Sequence, residues 1–172
     1  MQYFKKLKKN KGFSFLEVVT ATSIITIGML GVVSLMMQNI QVLSINKNNL
    51  IASQLAQEGL EILRQYRDSE WLNSGDFLFT DGNKKYVVDA INSNGLSETN
   101  NSIMHDDAKI KIDGNGFYRR NALGVTDTVF RRIVSVTKNS GEDYATASST
   151  VRWAKNGKNY DYVAETLLYD WR

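Results

Sequence analysis

Hydrophobic residues are unevenly distributed along this sequence, with one long apolar block near the N-terminus. From Phe13 to Ile45 the only charged residue is Glu17, and the segment Val18–Met37 is twenty residues without a charge. Twenty helical residues span about 30 Å, which is the thickness of the hydrocarbon core of a bilayer. The block therefore predicts a membrane-spanning helix.

The helical pattern continues past this block, because no proline or glycine interrupts residues 32–58. Apolar residues then recur at helical spacing, which predicts an amphipathic helix packed under a sheet. Asp68-Ser69 and Asn73–Gly75 indicate its end, so we expect one helix from about Ser14 to Leu72. The apolar stripe comprises Ile51, Ala52, Leu55, Ala56, Leu60, Ile62, Leu63 and Tyr66.

Two features of this amphipathic part carry further expectations. Gly59 costs about 1 kcal/mol against alanine inside a helix, which indicates close contact with the sheet at this point. Glu58, Glu61 and Arg64 are typical of a solvated face whose charges pair with one another.

After Leu72 the sequence changes to short runs of β-forming residues separated by turns. Asp81-Gly82, Asp113–Gly116 and Asn156-Gly157 are typical of hairpin turns, whereas the polar segment Ser93–Asp107 predicts an exposed loop. Alternation predicts that Val151 and Trp153 face the helix and Arg152 faces away. One antiparallel sheet on the distal half of the helix gives an α+β fold. The expected strands are Phe77–Thr80, Lys85–Ile91, Ala108–Ile112, Thr128–Lys138, Tyr144–Ala154 and Tyr160–Tyr169.

Charge is concentrated at the N-terminus, where five lysines precede Gly12 without any acidic residue among them. Such a cluster beside an apolar span predicts that the N-terminus stays in the cytoplasm and that the rest of the chain is outside. Without these five lysines, 16 basic residues face 18 acidic ones, so the net charge of +3 does not indicate a nucleic-acid-binding protein. The lysines are Lys5, Lys6, Lys8, Lys9 and Lys11.

Three kinds of N-terminal segment compete for this pattern. A secretory signal peptide has a shorter apolar core followed by a small-residue cleavage site, and this block is too long. A plain signal anchor leaves Glu17 unexplained, because a carboxylate at the start of a membrane helix costs on the order of 2–3 kcal/mol or more. The third kind follows from the residues around Gly12.

The run Lys11-Gly12-Phe13-Ser14-Phe15-Leu16-Glu17 resembles the signature of type IV prepilins. That signature is a basic leader ending in glycine, an apolar residue that becomes the new N-terminus, and glutamate as the fifth mature residue. The resemblance implies cleavage between Gly12 and Phe13 by a prepilin peptidase, followed by N-methylation of Phe13. It also implies a leader at residues 1–12, a membrane-spanning or filament-core helix at 13–37, and a pilin-like domain at 38–172.

The implied cleavage predicts a function for Glu17 in assembly. Cleavage creates a charged amine at Phe13, and this amine can pair with the Glu17 carboxylate of a neighbouring subunit. Each charge is costly alone in a low-dielectric setting and far less so when paired. The alternative is a carboxylate at the membrane interface that only extends towards water.

The run Ile27–Gly31 resembles the I-G-L-L-G sequence of many minor pilins and pseudopilins, and the chain lacks the membrane-helix proline of common major pilins. Gly28 and Gly31 lie near one helix face and would permit close helix packing, although glycine is also simply common in membrane helices. The implied function is a structural subunit of a type IV pilus or related filament. Its implied partners are other pilin-like subunits, the peptidase and an inner-membrane assembly platform.

The sequence offers little enzyme chemistry, and we expect neither catalysis nor a cofactor. Cysteine is absent, His105 is the only histidine, and no G-x-S-x-G or phosphate-binding loop occurs. Asp106, Asp107, Asp113 and Asn115 could offer oxygen ligands to calcium, but their spacing differs from an EF-hand and turn formation explains them. We therefore expect no metal site.

A nucleic-acid surface is a further alternative, because Arg119-Arg120 and Arg131-Arg132 have aromatic neighbours at Phe117, Tyr118 and Phe130. Adjacent residues in a strand face opposite ways, so each pair would put only one arginine on a given face. The alternative function of another class is a single-pass membrane-anchored binding module, such as a DNA-uptake or surface receptor. The sequence leaves open pilus, secretion and competence systems.

Overall fold

The computed structural model of the chain describes residues 12–74, 82–89, 96–120 and 126–170. The chain divides into two compact units that meet in sequence at Ser44 and Ile45. A single helix, α1, covers Phe15–Ser74 and contributes residues to both units. Its end lies two residues beyond the predicted Leu72, so the long N-terminal helix is confirmed.

In the first unit α1 exposes its apolar side chains along its whole length. Ser14 directly precedes the helix, and its carbonyl accepts hydrogen bonds from the amides of Glu17 and Val18 at 3.0 and 3.2 Å. Among the described residues α1 is the one helix long and apolar enough to cross a membrane. The hydroxyl groups of Thr20, Thr22, Ser23 and Thr26 donate to carbonyls three or four residues earlier.

The second unit contains an antiparallel sheet of seven described strands. Strand β5 is central: β6 pairs along one edge, and β3 and β1 share the other. Strand β7 pairs with β6, β2 with β1, and β4 with β3, while a short 3-10 helix covers Asp106–Ala108. The strands are β1 Gly82–Val88, β2 Leu96–Glu98, β3 Lys109–Ile112, β4 Tyr118–Arg119, β5 Thr126–Lys138, β6 Tyr144–Lys155 and β7 Lys158–Tyr169.

Two of the predicted hairpin turns are confirmed. Asn156 and Gly157 have φ values of 51° and 73° and join β6 to β7, which is the left-handed conformation that a two-residue Asn-Gly hairpin requires. Residues Asp113–Gly116 turn between β3 and β4. Asp81 of the third predicted turn lies outside the described residues, as does the predicted strand Phe77–Thr80.

The prediction that Ser93–Asp107 is one exposed loop is wrong. Leu96–Glu98 forms strand β2 on the edge of β1, and the 3-10 helix begins at Asp106. Leu96 also packs against the core. Three residues are too few for alternation to be visible in a polar sequence, so the strand is decided by the open edge of β1 rather than by local pattern.

The core lies between the second half of α1 and one face of the sheet, and it has two clusters. In one, Leu63 of α1 packs with Ala147 of β6, and in the other, Ala52 packs with Val151 and Trp153. Val151 and Trp153 are buried as predicted, and Arg152 is on the other face. Strand β6 therefore runs antiparallel to α1 along this surface.

Gly59 is the closest approach of α1 to the sheet among the described glycines, which confirms the predicted contact. A Cβ at this position would lie 2.7 Å from Ser149 Oγ, 3.1 Å from Arg132 Cδ and 3.2 Å from Val134 Cγ2. All three neighbours belong to β5 or β6 and are buried. The close packing of α1 on the sheet therefore depends on the absence of a side chain at Gly59.

We expect Gly59→Ala to lower the free energy of unfolding by about 1–2 kcal/mol, because overpacking outweighs the helix propensity that alanine gains. Chemical denaturation of the purified chain in mild detergent would measure this. Gly59→Ala/Ser149→Ala should recover part of the loss, and Gln57→Ala on the exposed face should be nearly neutral. A Gly59→Ala variant as stable as the original would contradict the argument.

Candidate functional site

The segment around the predicted cleavage position is fully accessible. Gly12, Phe13 and Ser14 precede α1 and belong to neither helix nor strand. Phe13 and Phe15 are 83% and 85% exposed. The described fold therefore leaves the residues on both sides of the bond between Gly12 and Phe13 exposed, and cleavage at this bond stays a prediction.

Glu17 lies in the first turn of α1. Its side chain is exposed, and a negative side chain in the first turn interacts favourably with the partial positive charge of the helix start. The charge thus stands close in sequence to the Phe13 nitrogen. The assembly function of Glu17 stays a prediction.

Gly28 and Gly31 leave two gaps on the apolar surface of α1. A Cβ added to either would meet nothing within 4 Å, in contrast to Gly59. Nothing in the described part of the chain packs against these glycines, and a second helix could approach closely here. Their part in helix packing stays a prediction.

The two residues of the Arg131-Arg132 pair lie on opposite faces of the sheet. Arg131 donates to the carbonyls of Met104 and His105 at 3.0 and 2.8 Å and lies 3.7 Å from the Asp106 carboxylate. Its guanidinium therefore fastens the 3-10 segment to β5. Phe130 is buried in the core and not available for base stacking.

Arg132 lies buried between α1 and the sheet, with 6% of its surface exposed. It donates to the carbonyls of Leu55 and Val88 at 2.7 and 3.1 Å and to the Glu58 carboxylate at 3.2 Å. Burial lowers the pKa of the Arg132 guanidinium, and the charges of Glu58 and Asp89 oppose that effect. The arginine thus bridges α1 to β1.

The prediction of a solvated charge face on α1 is therefore wrong for Glu58. Arg64 does pair with Glu61 on the surface, but Glu58 turns to the buried Arg132. The two residues are 74 positions apart, so local spacing carries no sign of the contact. The one local sign of this contact in the sequence is that Glu58 is next to the helical Gly59.

Asp113 organises the turn between β3 and β4. Its Oδ1 accepts from the amides of Asn115 and Phe117, both at 2.9 Å, and its Oδ2 lies 2.9 Å from Arg119 Nε. These contacts, with the Phe117 amide first, hold the pKa of the Asp113 carboxyl below its ordinary value. The carboxylate is thus occupied by protein donors.

The other candidate calcium ligands do not gather around Asp113. Asp107 accepts from Asn101 Nδ2 at 2.7 Å and lies 3.0 Å from His105 Nδ1, while the Asp106 side chain is 89% exposed. Within the described ranges no three acidic or histidine side chains converge on a point that could hold a metal ion. The contacts of Asp113 and Asp107 are those of side chains that stabilise turns.

Of the four arginines in the two candidate pairs, three have partners within the described part of the chain. Arg132 is buried, Arg131 bonds to the 3-10 segment, and Arg119 pairs with Asp113. What remains unexplained by the fold is the exposed N-terminal segment with its glycine, its free apolar surface and its single carboxylate.

Comparison with known protein families gives one match, to the prokaryotic N-terminal methylation motif, over residues 7–33. The match covers three of the five lysines before Gly12, the predicted cleavage position, Glu17, and both glycines of the apolar helix. No curated protein and no solved structure matches the chain. The function of the second unit therefore has to be argued from its own geometry.

We expect the second unit to lose stability as the pH falls below about 4, the ordinary range of an aspartate pKa. A depressed pKa in the folded state contributes stability above the unfolded pKa, and this contribution is lost as the carboxyl becomes protonated. Asp113→Asn should therefore reduce the stability difference between pH 6 and pH 3. Thermal unfolding at both pH values would measure it.

Asp106→Asn provides the control, since this exposed side chain should leave the pH dependence nearly unchanged. Equal acid sensitivity in Asp113→Asn and the original chain would show that the Asp113 contacts do not stabilise the fold.

Proposed function

We propose that this chain, which carries the N-terminal signature of type IV pilins and pseudopilins, is a minor pilin or pseudopilin and acts as a structural subunit of a filament. The observation that carries the proposal is the methylation motif at the start of an exposed apolar helix. The motif marks the chain as a substrate of prepilin peptidase.

In this proposal the peptidase cuts after Gly12 and Phe13 becomes the methylated N-terminus. Before cleavage the leader lysines keep the N-terminus on the cytoplasmic side of a single-pass span in the inner membrane. After cleavage the subunit leaves the membrane for an extracellular or periplasmic filament. An inner-membrane assembly platform is the proposed partner for that transfer.

Helix packing would then bury the surface that the single chain leaves exposed. Apolar side chains of α1 would contact the helices of other pilin-like subunits, and Gly28 and Gly31 would permit close approach. The Phe13 amine of an incoming subunit would pair with Glu17 of its neighbour. The sheet of the second unit would form the filament surface.

The alternative of a membrane-anchored nucleic-acid receptor has less support. Arg119, Arg131 and Arg132 are all engaged inside the fold, and the aromatic Phe130 is buried. No described observation favours a catalytic function either. A structural subunit accounts for the exposed apolar helix, which a receptor would need only as an anchor.

In cells that contain a prepilin peptidase, we expect the mature chain to begin with methylated Phe13. Intact-mass spectrometry of the purified protein would show the loss of residues 1–12 and the gain of one methyl group. Gly12→Val should keep the leader because the peptidase needs a small residue at this position. Gly28→Ala is the matched control and should be processed normally.

A chain that keeps its lysines in the presence of an active peptidase would contradict the proposed processing and favour a plain membrane anchor. The same measurement thus separates the two classes of function.

We expect Glu17→Ala to insert in the membrane but to enter filaments roughly tenfold less or worse, because removing one partner of a desolvated ion pair costs about 3–5 kcal/mol. Comparing the membrane and sheared-filament fractions by immunoblot would measure this. Ser34→Ala, in the same apolar segment, is the control and should assemble normally. Equal incorporation of both variants would end the proposed function of Glu17.

A further inference from the structure

One end of the second unit, which we call the basal end, gathers the entry of α1 and two hairpin turns. Ala52 of α1 shares a core cluster with Trp153, whereas Leu63 shares the other cluster with Ala147. Residues of α1 before Ala52 therefore lie towards the same end as residues of β6 after Trp153. The β6–β7 turn at 155–158 belongs to this basal end.

The β3–β4 turn lies at the basal end as well. Phe130 of β5 is opposite Trp153, and Thr126, four residues earlier on β5, is opposite Ile112. The turn at 113–117 follows Ile112 directly. At its close, Phe117 is 60% exposed, although its backbone is fixed to Asp113 by two hydrogen bonds of 2.9 and 3.0 Å.

The charges of the basal end do not balance. Each carboxylate at this end has a cationic partner within the described structure: Asp113 has Arg119, Asp127 has Lys109, and Asp161 has Arg152. Four lysines at the same end form no ion pair with a described residue, which leaves an excess of positive charge. They are Lys47 at the start of the α1 portion, Lys111 in β3, and Lys155 and Lys158 at the β6–β7 turn.

The basal end includes the residues of α1 that follow the apolar segment in sequence. Met37 ends the uncharged block and Ile45 begins the second unit, eight residues later. A connection of eight residues spans at most about 29 Å even when fully extended, so the start of the second unit cannot lie far from a membrane that holds the uncharged block.

We propose that the basal end binds the anionic phosphate headgroups of the outer leaflet of the membrane in which the unassembled subunit is anchored. Lys155 and Lys158 supply the charge, with Lys47, and the exposed Phe117 ring enters the interface. This inference rests on the proposed membrane anchoring. A lipid surface is favoured over a second copy of the chain by the excess of lysines and by the short connection in sequence to the span.

The contact would hold the second unit at the membrane surface until assembly begins. A lysine near an anionic membrane strengthens binding roughly fivefold, so three lysines give an interaction that is specific in orientation and still reversible. Entry into a filament removes the subunit from the leaflet and breaks the contact. The basal end would then be free for other subunits.

The chain has no cysteine, so one introduced cysteine gives a unique labelling position. In the test, each bilayer nanodisc holds one full-length chain with a fluorophore attached at Ala154→Cys, near the basal end. A quencher on the lipid headgroups reports contact in discs of phosphatidylcholine alone or mixed with phosphatidylglycerol. We expect stronger quenching in the anionic discs and its loss at about 1 M salt, where the Debye length is about 3 Å.

Substitution of the lysines tests whether their charges hold the basal end at the membrane. Lys155→Gln/Lys158→Gln should weaken the contact equilibrium in anionic discs roughly tenfold or more, each single change less, and Lys85→Gln on the second unit hardly at all. A label at Ser140→Cys, in the turn at the opposite end of β6, should show no dependence on lipid charge. Phe117→Ala should reduce quenching in both kinds of disc.

Equal quenching in neutral and anionic discs, or quenching unchanged by Lys155→Gln/Lys158→Gln, would overturn the inference. Quenching that appears only with two chains per disc would also overturn it and assign the basal end to contact between subunits. Failure of the chain to enter discs at all would instead contradict the proposed membrane anchoring, so the two failures are distinguishable.

Discussion

The structure depends on one constraint, which is that a helix surrounded by apolar solvent must satisfy its polar groups within itself. In the first unit of the chain, helix α1 meets this requirement with its own backbone hydrogen bonds. Its hydroxyl side chains also donate hydrogen bonds to carbonyls one turn earlier. Glu17 is the one charge in the exposed apolar part. The segment is therefore suited to lipid or to a bundle of similar helices.

The second half of α1 solves a different problem, since it has to bury one face and leave another in water. Small residues make close approach to the sheet feasible, and Gly59 gives space to Ser149 and Arg132. Arg132 then uses that space to hold a helix carbonyl, a helix carboxylate and a strand carbonyl together. A buried cation with several acceptors gives the interface a defined register, which apolar packing alone specifies less strictly.

The parts of this molecule that local sequence determines could be predicted. The helix stripe, the Asn156-Gly157 turn and the inward side of Val151 and Trp153 all follow from periodicity or backbone preference, and so does the apolar span. The bond between Arg132 and Glu58 could not be predicted, because it joins distant residues whose types alone indicate surface charge. Strand β2 was missed for the related reason that its partner, rather than its own composition, decides its conformation.

The back-bonded hydroxyls of α1 also bear on how stiff its apolar part is. Thr20, Thr22, Ser23 and Thr26 fall within two turns, and a hydroxyl that shares a carbonyl with the backbone amide weakens the helix slightly and favours bending. The chain contains no proline, which is the usual cause of a sharp kink. A slight tendency to bend is thus distributed over this stretch instead of being fixed at one hinge.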